Sequence, residues 1–322
     1  MTNKPLFTVI ILSYNQEKTI CESISSVLDQ NYENMELIIT DDASTGFDKN
    51  AIQEHIDRNK RGNLKNYIIL TREQNAGTVK HLNAAIKKAS GYYVTVFAGD
   101  DCLYDEHTLS NHEKAFVEHS DKNMITAQCY RYDSEMKEFL LKQVPVDRAH
   151  KINESPAPVQ FRMLSEWNAF AMGATAFKKE MLEKYKFFDE KYRLIEDWSL
   201  FLRLTRSGET FHFVDFVALK HRYGGLSKRK NKENSYALTS KDFCLDLLAV
   251  FENEIFPYMR GLARDEQNQR FARYMGFVTA NQDILSKTMY DSVLKVKLRF
   301  LFRQPAVAIK LFLANRFQRF YH

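Results

Sequence analysis

VTVFAGDDCLYDE, residues 94–106, runs along an apolar segment, meets a small residue and a glycine, and then sets Asp100 beside Asp101. Two adjacent carboxylates repel each other, so a strand that ends in them calls for a turn, a solvated edge, or a cation held between protein and ligand. Asp is a common turn residue because its side chain bonds the nearby backbone, and local sequence alone leaves these readings open. The neighbouring segments narrow the choice.

Upstream, TVIILS (8–13) is β-branched and apolar, the pattern of a strand buried on both faces, and Ile20, Ile24, Val27 and Leu28 follow at helical spacing. ELIIT (36–40) reads as a second strand ending at Asp41 and Asp42, AIQEHIDRN (51–59) as a polar helical crossover, and YIIL (67–70) as a third strand. In NAGTVKHLNAAIKKASG (75–91), Gly77 is expected at a turn and Thr78 as the N-cap of a helix ending near Gly91, which leads into YYVTVFA (92–98). This alternation predicts an α/β fold with a parallel sheet, helices on both faces, and ligand bound beyond the carboxyl ends of the strands. Asp41, Asp42, Asp100 and Asp101 all fall at such ends.

Downstream, HTLSNHEKAFVEH (107–119) predicts a helix and MITAQCYRY (124–132) a strand. VPVDRAHKINESPAP (144–158) carries three of the six prolines and marks a change of organisation. GATAFKKEMLEKYKFFDE (173–190) reads as strand then helix, EDWSLFLRLTRSG (196–208) as a largely buried helix stopped at Gly208, and FHFVDFVALKHRY (211–223) as a strand ending in His221 and Arg222. From about residue 240 amphipathic helices dominate. The expected division is an α/β domain over 1–225 and a helical C-terminal region over 226–322.

At 322 residues and 44% hydrophobic, the chain can bury a substantial core, and a net charge of +5 gives no support for nucleic-acid binding. Cys21, Cys102, Cys129 and Cys244 lie far apart without CxxC spacing, which argues against a zinc site or a disulfide framework and for a reducing compartment. The first residues lack a cleavage pattern and no apolar run is long enough to span a bilayer, so a cytoplasmic protein is expected.

TVIILSYN, ELIITDDAST, NAGTVKHLNAAI, VTVFAGDDCLY and LIEDWSLFLRL come in the order and spacing found in family 2 glycosyltransferases of the GT-A fold, and the chain resembles that family over about residues 6–225. The resemblance implies a Rossmann-like, mostly parallel sheet flanked by helices. It also implies a nucleotide-sugar-dependent, metal-assisted transferase that inverts the anomeric carbon, with UDP as the default nucleotide and Mn2+ or Mg2+ as cofactor. The chemistry is intelligible on its own terms: a diphosphate leaves readily only if its developing charge is neutralised, and a divalent cation on oxygen ligands does this.

By the same resemblance, Asp101 is a metal ligand and Asp100 a ribose contact, although the family motif is usually written DxD and here reads GDDC. Asp41 resembles the residue that accepts from the uracil N–H, Tyr14 the aromatic lying against the base, and Asp197 the general base that takes the acceptor hydroxyl proton. Arg72 is a candidate contact to base or diphosphate. His221 is a candidate to complete the metal or diphosphate site, with Arg222 as the alternative diphosphate contact beside GGLSKRKNK (224–232). Each has a plainer reading: a packed strand-end aromatic, an exposed loop arginine, a structural histidine, and, for Glu196 and Asp197, acids drawn to a helix N-terminus.

A sugar nucleotidyltransferase would need a glycine-rich phosphate loop where SYNQEKT (13–19) stands, and a dehydrogenase would need GxGxxG. A non-catalytic nucleotide- or carbohydrate-binding module is the remaining rival. The acceptor, a glycan or lipid-linked sugar of the cell surface, is expected to meet residues 145–175, where Trp167 is either a sugar platform or a core residue. In VLKVKLRFLFRQPAVAIKLFLANRFQRFYH (293–322), basic residues interleave with apolar ones and no acid intervenes. That pattern suits a helix pair at an anionic membrane surface, the inner face of the cell membrane, or else packing on the catalytic domain or on a second copy in a homo-oligomer.

Overall fold

The computed structural model describes residues 4–224, 238–281, 284 and 285. Its organising strand is β1 (Phe7–Ser13), in which all side chains but Leu12 are buried. The reason is its position: β1 pairs in parallel with β2 (Met35–Asp41) on one side and with β4 (Tyr93–Ala98) on the other. Phe7, Val9 and Ile11, at strand spacing, pack in one core with Ile20, Ile24 and Val27 of α1 (Ile20–Leu28) and with Ile52 and Ile56 of α2 (Lys49–Asn59). Beyond β2 the half-exposed β3 (Leu64–Thr71) forms the sheet edge.

The turn after β3 enters α3 (Thr78–Ile86) through Gly77, whose φ of 87° and ψ of 158° only glycine adopts freely. Thr78 is thus the first helical residue and caps nothing with its side chain; Gly77 holds the N-cap position instead of the expected Thr78. The helix also stops at Ile86, well before Gly91.

The sheet continues through β5 (Cys102–Leu103), β6 (Met124–Tyr132), β7 (Phe139–Lys142), β8 (Thr175–Lys178) and β9 (Phe211–Arg222), in the spatial order β3-β2-β1-β4-β8-β6-β9-β5, with β7 on the edge of β6. Its first half is parallel. Its second half is mixed, because β8 runs antiparallel between β4 and β6 while β6 and β9 are parallel. The intervening helices are α4 (Thr108–Glu118), α5 (Val146–Asn153), α6 (Ala157–Glu166), α7 (Lys179–Lys184) and α8 (Asp197–Arg206). The proline-marked stretch therefore forms two short helices, with Pro145 and Pro156 each at an N-cap. His221 and Arg222 are the last two residues of β9, where the sequence pattern places them.

By its contacts the chain divides into two compact units, Met1–Gly225 and Leu226–His322. In the second unit, α9 (Lys241–Val250) and α10 (Arg264–Ala280) are joined by a π-helical and a 3-10 turn. Phe251 packs there against Tyr274 and Phe277, and Phe256 stacks on Phe271. The basic segment from residue 293 onward lies outside the described residues, as do residues 225–237 of the GGLSKRKNK region.

Candidate active site

Strand order reverses between β1 and β4, which opens a crevice at the carboxyl ends of the parallel strands. The register sets Ser13 level with Asp41 and Leu12 level with Ala98, so the loops at 14–19, 42–47 and 99–101 leave the sheet side by side. Asn15 and Ala43 have φ of 53° and 66°, and these sharp turns let the first two loops meet. The Asn15 N–H donates to Ser44 Oγ at 2.7 Å, and Ser44 in turn donates to both oxygens of Asp41 through its N–H and its hydroxyl. Asp41 is buried, while Tyr14 stands 47% exposed on the adjoining loop.

The next residue carries the connection onward. Gln16 Nε2 donates to Asp100 Oδ1 at 2.8 Å, and Thr19 Oγ1 donates to the Gly99 carbonyl. A side chain on Gly99 would sit 2.7 Å from Ile20 and 2.9 Å from Gln16 Oε1, so glycine here permits the acid pair to lie against α1. Burial first, and the neighbouring Asp101 second, push the Asp100 carboxyl up to about 6. Asp101 is buried and takes two donors from the end of β9: its Oδ2 lies 3.0 Å from His221 Nδ1, and its Oδ1 accepts the Arg222 N–H at 2.9 Å. The Asp101 carboxylate raises the affinity of His221 for a proton, against the opposing effect of burial.

Arg222 is a structural clamp. Its guanidinium bonds the Asp100 and Ser134 carbonyls and pairs with Glu22, which leaves it committed to the protein. Arg72 is exposed, and among the described residues it makes only a long contact of 3.5 Å to the Lys80 carbonyl. Near it the buried His81 bonds Thr40 at 2.6 Å, with burial pulling its pKa down to about 4.

Asp197 opens α8 and does not belong to the Asp100–Asp101–His221 group by any hydrogen bond. Its Oδ2 accepts from Asn168 Nδ2 at 2.8 Å and its Oδ1 from the N–H of Trp198. Desolvation outweighs these bonds and holds the carboxyl above the usual range, which suits a proton acceptor. The approach to α8 is tied to the β2 side of the crevice: Asp42 accepts the N–H groups of Ala76 and Gly77, the Arg193 carbonyl accepts from Val79, and the Arg193 guanidinium bonds Asn75. Trp167 is partly buried, with the Arg148 guanidinium carbon 5.4 Å from the centre of its ring.

Asn168, Gln16 and Arg193 were not singled out by the sequence. Asn168 sits beside Trp167 in the segment already suspected of meeting an acceptor, but no spacing rule links it to a residue 29 positions away.

Among the described residues no group of three or more His, Cys, Asp and Glu side chains is arranged to hold a metal by itself. The donor set nevertheless fits Mn2+ or Mg2+, which take one or two carboxylates and complete their shell with phosphate oxygens and water. The 3.0 Å separation of His221 Nδ1 and Asp101 Oδ2 is also that of adjacent ligands on an octahedral ion with bonds of about 2.1 Å.

Residues 8–186 match the family model described as Glycosyl transferase family 2. The chain is 36% identical over 102 residues, 31% of its length and 38% of the relative's, to "Putative teichuronic acid biosynthesis glycosyltransferase TuaG" of Bacillus subtilis. Over 96 residues, 30% of its length and 35% of the relative's, it is 38% identical to "UDP-Glc:alpha-D-GlcNAc-diphosphoundecaprenol beta-1,3-glucosyltransferase WfgD" of Escherichia coli. The chain spans only 30% to 40% of the length of the first four curated relatives it matches. Among solved structures, Staphylococcus aureus TarS 1–349 with UDP-GlcNAc is similar at a TM-score of 0.54 and 19% identity, covering 95% of this chain and 88% of that one. The mannosyltransferase PcManGT of Pyrobaculum calidifontis with GDP-Man and Mn2+ reaches 0.58 at 16% identity, covering 98% and 88%. At such identities these structures speak for the fold, a sheet flanked by helices of the GT-A kind.

Proposed function

The chain belongs to glycosyl transferase family 2, and from that premise we propose that it moves a sugar from a nucleoside-diphosphate sugar, UDP-linked by default, to a glycan or lipid-linked acceptor with inversion. The observation that carries this reading is the acid pair at the sheet's switch point, joined to His221 on one side and through Gln16 to the Tyr14–Asp41 loops on the other. UDP-GlcNAc in the TarS structure supports the donor class, and the diphosphoundecaprenol in the WfgD name supports a lipid-linked acceptor in cell-surface polysaccharide synthesis.

Tyr14 lies against the base, Asp41 accepts its N–H, and Asp100 meets the ribose. Asp101 and His221 hold Mn2+ or Mg2+, as the Mn2+ complex of PcManGT supports. When bound, that ion neutralises charge on the departing diphosphate. Asp197 takes the proton of the acceptor hydroxyl as its oxygen attacks the anomeric carbon from the face opposite the leaving group, and Asn168 holds the carboxylate in position for this. No carboxylate is assigned as a nucleophile, so one displacement and one inversion follow.

The decisive experiment is nucleoside-diphosphate release over UDP-, GDP- and dTDP-sugars, with Mn2+ and with chelator. Metal-dependent release from one of them, and an inverted anomeric centre by NMR of the product, are expected. Binding without turnover for any donor would favour the non-catalytic module instead.

A further inference from the structure

Arg131 stands on β6 in register with His221 of β9. Residues level with each other on parallel neighbours share a face of the sheet, with the strands about 4.8 Å apart, so Arg131 lies on the face from which His221 reaches Asp101. Its positive charge opposes protonation of His221 and reaches Cys129, two residues earlier on the same face.

Other partly buried arginines of this unit are committed to protein acceptors. Arg222 has carbonyls and Glu22, Arg203 the carbonyls of Tyr185 and Phe187, and Arg148 the Met163 carbonyl and Glu166. Arg131 differs. It is partly buried and its Nε is sealed from solvent without a hydrogen bond, as are those of Arg148 and Arg203, but unlike theirs its terminal nitrogens bond no protein acceptor among the described residues. Even partial burial of a guanidinium without a protein acceptor is costly, and such groups are normally paired. A cation kept unpaired on the face of the acid pair is explained if its counter-ion arrives with a ligand.

We propose that Arg131 is a binding residue for a phosphate group that docks beside Asp101 and His221. The guanidinium fork matches two phosphate oxygens at once, which a lysine ammonium does not. The inference rests on the glycosyl-transfer reading, which brings phosphate to this crevice from two sources: the diphosphate of the donor, or a phosphate carried by the acceptor.

Two titrations of the full chain separate the sources. In the first, UDP and uridine are titrated with Mn2+ into wild type, R131Q and R131K. In the second, protein saturated with UDP and Mn2+ is titrated with geranyl diphosphate and with geraniol. If the donor supplies the phosphate, R131Q binds UDP at least about tenfold more weakly while uridine is unaffected. If the acceptor supplies it, UDP binding is unchanged and the preference for geranyl diphosphate over geraniol falls by at least about tenfold. Should R131Q fail to fold by circular dichroism, R131K carries the test, with a loss of at least about threefold expected in one arm because the fork is gone. Wild-type affinities in both arms for the folded variant overturn the inference alone. A wild type that binds neither UDP nor geranyl diphosphate overturns the glycosyl-transfer reading and the inference with it.

Discussion

Asp100→Asn should make the metal-free protein more stable at neutral pH and less able to bind its donor. The Asp100 carboxyl is pushed to about 6, first by burial and then by Asp101. The folded protein therefore keeps this proton to about pH 6, whereas the unfolded chain releases it near 4. Over that window the native state binds more protons than the unfolded state, so stability falls as pH rises and the full cost is present above about pH 6. At 1.36 kcal/mol per tenfold change in acidity, that cost is at most about 3 kcal/mol. An amide carries no charge to desolvate and can still accept from Gln16. For a unit of this size, about 3 kcal/mol corresponds to a rise in Tm of roughly 6–12 °C. Melting curves of the two proteins in chelator at pH 7.5, 6 and 4 measure it. The difference should be largest at pH 7.5 and close toward zero at pH 4, while added UDP and Mn2+ should raise the wild-type Tm more than that of the variant. Equal melting at pH 7.5, or a difference that does not change with pH, would refute the reasoning.

Asp197→Asn is expected to bind UDP and Mn2+ normally yet lose transfer by about a hundredfold or more. Asn168→Ala should move the acid limb of kcat/KM to higher pH, because the lost hydrogen bond favoured the ionised carboxylate that must accept the proton; an unmoved limb in a pH-rate profile would separate Asn168 from catalysis. Gly77→Ala should cost at least about 1–3 kcal/mol in denaturant unfolding, since its φ is +87° and the new Cβ would lie 2.8 Å from the Arg193 carbonyl oxygen. Flotation with anionic vesicles at low salt should retain the full chain and release a truncation before Asp291, if the basic segment at 293–322 docks on lipid; a truncation that instead loses its oligomeric state assigns the segment to protein packing.

The strands of the first half were legible because burial on both faces leaves continuous β-branched apolar runs, and TVIILS and ELIIT carry that signal without interference. The second half was less so. The antiparallel insertion of β8 between β4 and β6 depends on pairings between residues far apart in the chain, for example Ile125 with Ala176, which no local pattern encodes. The site was legible wherever an acid followed a strand. Its supporting residues were hidden because amides such as Gln16 and Asn168 have no distinctive spacing and acquire their roles only when distant loops converge. Arg222 shows the converse: it stands beside the right motif for a ligand contact, yet its guanidinium already bonds the Ser134 and Asp100 carbonyls and Glu22.

The two acid pairs reconcile the turn reading with the functional one. At each strand end the adjacent carboxylates reach different parts of the chain: Asp41 holds Ser44, Asp42 holds the backbone at Ala76 and Gly77, Asp100 meets Gln16, and Asp101 meets His221 and Arg222. Turn chemistry thus assembles the crevice at which a ligand can bind. Both oxygens of Asp42 accept backbone N–H groups of the turn into α3, so this carboxylate holds that turn in place. Asp100 is engaged through Oδ1 alone, and its affinity for a proton is raised because protein dipoles do not replace the water it has lost. A carboxylate left short of partners in this way gains most from a cation or from hydroxyl donors. That deficit, and not the mere adjacency of two acids, is the physical reason to expect the donor at GDDC.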